Sequence, residues 1–231
     1  MNPWGWALLA GAASALAGWF LPRAIAALPE RDPDDAMSYA HIAATTRLSW
    51  WLAMSAGLVG LALGWARAGE PDLAAFVALG VLGTGMGYVD IRRHLLPDRF
   101  TVPALLSGAV LLGAAALVSH PDAATSYVRA WACAGGLLLL YLVLAMIYPA
   151  GLGLGDVKLA GALGLHLGWL AWAGPVVGTV AAFLIGGVTS LGLLLAGRAS
   201  RRTAIPFGPS MLLGALAAVL WAEPITAWYL S

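Results

Sequence analysis

Charge is scarce in this sequence. Of 231 residues, 12 are Lys or Arg and 11 are Asp or Glu, 10% in all, against about 25% in a soluble domain. An ordinary soluble domain is therefore excluded. A net charge of +1 offers no basic surface, and no nucleic-acid partner is expected. Cysteine is scarcer still. The single Cys133 lies in an apolar run, so neither an internal disulfide nor a Cys-based zinc site can form. The four histidines, His41, His94, His120 and His166, show no ligand spacing, and no metal or cofactor is expected. His94 and His120 read as interfacial loop residues, His166 as a polar residue on a packed helix. The first apolar run lacks a positively charged start and a clear small-residue cleavage site, so it is expected to be a retained helix. The short alternating segments of a membrane barrel are missing, as is any repeat of fixed period.

Hydrophobic residues, by contrast, make up 61% of the chain, and the mean hydropathy is +0.85. Apolar stretches of roughly 17–23 residues recur, and a bilayer core needs about 20. The expectation is an all-α, polytopic membrane helical bundle of about eight transmembrane helices. It would form one membrane-embedded domain over residues 1–231, with the lipid bilayer around it. Spans are expected at about 4–27, 48–66, 73–89, 102–118, 130–148, 157–172 and 174–196, with a last one reaching about 222. Trp50, Trp51, Trp228 and Tyr229 suit membrane interfaces. The longest hydrophilic stretch, 29–47, carries Glu30, Arg31, Asp32, Asp34 and Asp35. It reads as a solvated cytoplasmic loop, with a small substrate-docking element as the alternative.

Lysine and arginine set the orientation. With eight spans, one set of loops holds Arg23, Arg31, Arg47, Arg92, Arg93, Arg99, Lys158, Arg198, Arg201 and Arg202, and the other only Arg67 and Arg129. The first set is expected in the cytoplasm, which leaves both termini extracytoplasmic. The chain is expected to cross its membrane many times.

Two acids do not fit the pattern of readable loops. Asp156 stands at a glycine-rich bend between two apolar runs, and Asp90 at the end of another. A carboxylate near hydrocarbon is costly and invites a functional reading. The plainer reading of Asp156 is an N-cap for a helix starting at Val157, and the two readings are compatible. The orientation puts both acids at the cytoplasmic ends of their spans, where they can meet.

Two carboxylates in one site do not both ionise easily, so the pair holds a single proton. The ionised partner can take a proton from water while the protonated one polarises a peptide carbonyl. That is aspartic peptide hydrolysis. Gly153 and Gly155 are expected to permit backbone conformations closed to other residues and to let a substrate strand approach closely. Irregular backbone at membrane depth is tolerated where it is packed or lines a wet cavity.

Gly153-Leu154-Gly155-Asp156 is a G-x-G-D motif, followed by Val157-Lys158-Leu159. It resembles the second catalytic motif of the type IV prepilin peptidases. The stretch from Asp90 through Arg92, Arg93, Leu96, Pro97 and Asp98 to Thr101 resembles that family's first motif, and Pro206-Phe207-Gly208-Pro209 its late element. The resemblance covers roughly residues 75–220 and implies a membrane aspartic endopeptidase of the bacterial inner membrane. Such an enzyme cuts the short basic leader from prepilins or pseudopilins at the cytoplasmic face, after a Gly and before the apolar helix. It implies that Asp90 and Asp156 are catalytic and that Gly153 and Gly155 shape the loop. Lys158 either orients the site or anchors the helix at the interface. Arg92, Arg93 and Asp98 read as interface and turn residues.

Many members of that family carry a cysteine-rich, zinc-binding cytoplasmic domain between the first two spans, associated with N-methylation of the new amino terminus. Here 29–47 stands in its place without cysteine, so the expectation is a short, peptidase-only form. Two other readings are open. A presenilin-like intramembrane protease also uses G-x-G-D, but pairs it with Tyr-Asp, whereas Asp90 follows Val89. A transporter or scaffold would place its acids at mid-membrane.

Overall fold

A computed structural model describes residues 1–30, 38–119, 122–149, 151–198 and 205–230, without the side chains of 222–230. Among these residues there are nine helices and no strand. In order they are α1 (Pro3–Ala26), α2 (Tyr39–Ala43), α3 (Leu48–Ala66), α4 (Leu73–Arg93), α5 (Asp98–Val118), α6 (Ala123–Ile147), α7 (Leu154–Leu170), α8 (Ala173–Leu195) and α9 (Gly208–Leu230). The eight long helices stand where eight spans were expected. Six of them, α1, α3, α4, α5, α6 and α8, are long and apolar enough to cross a membrane.

Several bounds differ from the hydropathy reading, and in α4 and α6 the added residues include a charged one with a partner inside the bundle. α4 runs through Asp90 to Arg93, where the apolar run ends at 89. α6 begins at Ala123 and includes Arg129. The Arg129 Nε donates to the Gly168 carbonyl at 2.7 Å, and Nη2 donates to the carbonyls of Trp169 and, at 3.1 Å, Leu170. The charge thus satisfies the orphan carbonyls that end α7. α9 extends to Leu230, past the expected end.

The axis of the bundle is α7. From Asp156 to Trp169 every residue except Lys158 is buried, with α5, α6, α8 and α9 packed around it. Small residues allow this. A Cβ on Gly164 would sit 2.6 Å from the Cys133 carbonyl oxygen, and one on Gly168 2.4 Å from the Cys133 Cβ. The lone cysteine is therefore a packing residue between α6 and α7. The same device joins α1 to α3, where a Cβ on Gly64 would lie 2.6 Å from the Trp6 carbonyl oxygen. Outward-facing residues such as Leu117, Val188 and Leu195 are apolar and exposed, as a lipid-facing surface requires.

At one end of the bundle, Asp72 is buried and receives Arg67 through two hydrogen bonds, 3.1 Å from Nε and 2.6 Å from Nη2. Trp169 Nε1 donates to the same carboxylate at 2.6 Å. This ties the start of α4 to the end of α7. His166 is fully buried, as expected for a packed helix, with Nδ1 2.9 Å from the Ala162 carbonyl oxygen. Its ring occupies space that Gly108 leaves open, since a Cβ there would be 2.3 Å from Cε1.

Within the hydrophilic stretch, residues 38–47 are mostly exposed but locally ordered. They form α2 and a turn, with Tyr39 and Ile42 buried. Glu30 anchors the segment by accepting from the Tyr39 amide and from Arg93 Nη1 at 3.1 Å. The Arg93 guanidinium lies 4.4 Å from the Tyr39 ring centroid. Tyr88 of α4 donates to the Ile42 carbonyl at 2.8 Å. Arg31, Asp32, Asp34 and Asp35, like His120, Arg201 and Arg202, lie outside the described residues, as do the side chains of Trp228 and Tyr229.

Candidate active site

The two acids come from different helices at the same end of the bundle, opposite to the Arg67–Asp72 pair. Asp90 lies in the last turn of α4, which stops at His94. That residue takes a left-handed conformation, φ 53°, and its amide closes the turn on the Asp90 carbonyl at 2.8 Å. Leu96 and Pro97 then turn the chain back, and α5 begins at Asp98.

Asp156 lies in the first turn of α7. The helix starts at Leu154, not at Val157, so Gly153 is the N-cap and Asp156 the third helical residue. Its Oδ2 accepts the Gly153 amide at 2.9 Å. This is the backward half of a capping box. Asp156 therefore does cap its own helix, but from inside it.

Both carboxylates are buried, Asp90 at 4% and Asp156 at 9% exposure. Among the described residues neither has an ion-pair partner. The convergence is built around Leu96. A Cβ on Gly155 would lie 2.8 Å from the Leu96 Cβ, and one on Gly208 3.2 Å from its Cδ2. Gly155 is thus required for close approach of the two motifs, while neither it nor Gly153 takes the special backbone conformation expected of them, since both have negative φ.

Sequence reasoning noted Pro206–Pro209 without giving it a task. The structure gives Gly208 one. Its amide donates to Asp90 Oδ2 at 3.0 Å, and a Cβ on it would intrude to 2.7 Å from the same oxygen. Phe207 holds this segment in place, its ring centroid 5.1 Å from that of Phe183 and 6.5 Å from that of Tyr141. Each acid thus has one oxygen fixed by a glycine amide. A glycine between prolines at the head of an apolar helix was the available signal.

Lys158 does not reach for either acid. Its Nζ pairs with Asp98 Oδ1 at 2.6 Å, with both side chains about half exposed or more. The pair links the second motif to the first from the outside. Among the described residues, no three His, Cys, Asp or Glu side chains gather as metal ligands would.

These features agree with comparisons to known proteins. The model of the type IV leader peptidase family matches residues 77–225, which include both acids and Gly208. The chain belongs to the type IV leader peptidase family. Relatives include the prepilin leader peptidase/N-methyltransferase of Aeromonas hydrophila, 36% identical over 179 residues, 74% of this chain and 55% of that protein. The leader peptidase HopD of Escherichia coli is 34% identical over 148 residues, 60% of this chain and 85% of HopD. The prepilin leader peptidase/N-methyltransferase of Bacillus subtilis (strain 168) is 33% identical over 141 residues, 61% of this chain and 53% of that protein. This family member therefore spans about half the length of the two bifunctionally named relatives and most of HopD. No solved structure gives a significant match.

Proposed function

We propose that this chain is a prepilin leader peptidase: an aspartic endopeptidase, embedded as a single membrane domain, that cuts the leader from prepilins or pseudopilins. Asp90 and Asp156 form its catalytic pair. The observation that carries this reading is the meeting of two buried, ion-pair-free carboxylates at one bundle end, each with Oδ2 held by a glycine amide. Family membership supplies the reaction class. One carboxylate takes a proton from water and the other, protonated, donates to the carbonyl oxygen of the scissile bond. Gly153, Gly155 and Gly208 keep the backbone close to the pair, and Lys158 with Asp98 fastens the two motifs together.

The site faces the cytoplasm and both termini lie outside. Ten basic residues against two favour this orientation. The minority pair is also already committed, Arg67 to Asp72 and Arg129 to the carbonyls ending α7, so neither is a free anchor. The stretch 29–47 replaces a zinc-binding domain and has no cysteine. N-methylation is accordingly not part of the activity.

The test is an assay in inside-out membrane vesicles with a prepilin bearing Gly before the cut, read by mass spectrometry. The expected product is the mature chain with a free, unmethylated amino terminus even when S-adenosylmethionine is present. An uncut prepilin rejects the peptidase reading, and a product heavier by one methyl group rejects the peptidase-only form.

A further inference from the structure

Several hydroxyls inside the helices fold back on their own backbone. Thr84 Oγ1 donates to the Gly80 carbonyl at 2.8 Å, and Ser190 Oγ to the Gly186 carbonyl at 2.7 Å. Such back-bonding satisfies a hydroxyl where no water is at hand. Two buried hydroxyls depart from it and find no hydrogen-bond partner among the described residues, Ser14 Oγ and Thr179 Oγ1. Ser14 is packed into a close α1–α3 contact, where a Cβ on Gly60 would lie 2.3 Å from its Oγ. Thr179 instead lines a cavity of about 10 Å³.

The cavity lies between α6, α7, α8 and α9, among Tyr141, Leu163, Leu167, Thr179, Met211 and Ala215. Leu163 follows Asp156 along α7 by a rise of about 10 Å, and Met211 follows Gly208 along α9 by about 4.5 Å. The cavity is therefore just beneath the candidate catalytic pair, on the bundle side. Tyr141 is only 1% exposed. Its hydroxyl is the polar neighbour of Thr179, but no direct hydrogen bond closes on Thr179 Oγ1. A buried hydroxyl left unpaired is costly. A cavity of this size has room for one water, and the two hydroxyls supply the polar partners that a buried water needs.

We infer that Tyr141 is a positioning residue for Asp90, held in place by a single water that its hydroxyl shares with Thr179. The inference rests on the peptidase reading above. The Tyr141 ring centroid lies 6.2 Å from that of Phe183 and 6.5 Å from that of Phe207. Phe207 accepts the Met211 amide at 3.1 Å at the head of α9. The next residue, Gly208, donates to Asp90 Oδ2. The water fixes the tilt of the Tyr141 ring, the ring braces Phe207, and Phe207 sets the amide that orients the acid. Tyr141 thus acts through Gly208 and not on the substrate. It gives α6 and α8, which carry neither acid, a part in the chemistry.

Three substitutions separate the hydroxyls from the side-chain shapes. Tyr141→Phe and Thr179→Val each remove one hydroxyl and keep the shape, while Thr179→Ser keeps the hydroxyl. Each of the first two is expected to lower kcat for prepilin cleavage in vesicles by roughly 3- to 10-fold, with KM unchanged. The double variant is no slower than the slower single one, because both break the same link. Thr179→Ser cuts normally. Gly64→Ala, in the α1–α3 contact, is the stability control, expected to melt lower and keep its kcat. The positioning role is overturned if Tyr141→Phe or Thr179→Val cuts as the wild type does, if their losses multiply in the double variant, or if Gly64→Ala loses kcat as they do. Tryptophan fluorescence melts test the water without activity. A shared water predicts that Thr179→Val melts below the wild type. A dry, unpaired hydroxyl predicts that valine raises the melting temperature, and that result rejects the water. If the wild type cuts no prepilin, the peptidase reading fails and the positioning role with it, while the melts still decide the water.

Discussion

The amide of Gly208, at the first residue of α9, donates to Oδ2 of Asp90, in the last turn of α4, across 3.0 Å. The contact joins residues that are far apart in sequence, and only glycine fits it. A Cβ at 208 would stand 2.7 Å from that oxygen and 3.2 Å from Leu96 Cδ2. Gly208→Ala is therefore expected to insert normally but displace the carboxylate. Leader cleavage falls by roughly 10- to 100-fold, the scale of a misplaced catalytic group. Cleavage kinetics in vesicles, with membrane insertion checked in parallel, measure this. Near-normal kcat in Gly208→Ala removes Gly208 from the site.

The α6–α7 contact predicts a stability effect without a catalytic cause. At Gly164 a Cβ would meet backbone, 2.6 Å from the Cys133 carbonyl oxygen and 2.9 Å from the Ala134 Cα, and backbone does not swing away as a side-chain tip does. Gly164→Ala is expected to destabilise the bundle by about 1–3 kcal/mol. Tryptophan fluorescence melts of the detergent-solubilised protein read the shift, and an unchanged melting temperature contradicts the packing.

Lys158 and Asp98 predict a small effect. Their pair is short, 2.6 Å, but the side chains are 49% and 63% exposed, and exposed pairs contribute about 0.2–1 kcal/mol. Lys158→Ala is expected to change cleavage by no more than about fivefold. Raising the salt concentration narrows the difference. Complete loss of cleavage in Lys158→Ala would mean that this lysine touches the substrate.

Glu30 predicts the behaviour of α2. It accepts from both the Tyr39 amide and Arg93, and the Arg93 side chain is only 6% exposed. Glu30→Ala removes an acceptor shared by the Tyr39 amide and the Arg93 guanidinium, at roughly 1–3 kcal/mol. The segment 38–47 is expected to become sensitive to protease from the side where Asp90 lies. Limited proteolysis of inside-out and right-side-out vesicles tests this and reports the orientation at once, since only inside-out vesicles expose a cytoplasmic segment.

Most of the architecture was legible because lipid-facing helices must be apolar along their length, and Leu48–Ala66 was bounded correctly by hydropathy alone. The meeting of Asp90 with Asp156 followed from counting basic residues and from the two motifs. Reading failed where a charge is neutralised by a distant partner. Arg129 looked like a loop residue because its carbonyl acceptors belong to α7, more than a helix away in sequence. Arg93 looked like an interface residue because Glu30 and Tyr39, which enclose it, lie before α3. Asp156 was read both as a catalytic acid and as an N-cap for a helix starting at Val157, the second because an acid after glycines reads that way. Its actual third position depends on Gly153, which has no side chain to signal a cap. The Gly208 amide was invisible for a similar reason, since a backbone donor leaves no mark in a sequence except the absence of a side chain.

The most direct measurement is leader cleavage by membranes holding the wild type, Asp90→Asn or Asp156→Asn, with and without a metal chelator. Asparagine keeps the shape of the carboxyl group and can still accept a glycine amide, so insertion and packing are expected to persist. The account predicts that the wild type cuts the prepilin equally well with the chelator, and that each variant, present at normal levels in the membrane, cuts nothing measurable. Near-normal cleavage by either variant would contradict it, because that acid would then be a helix cap or an anchor and not half of a catalytic pair.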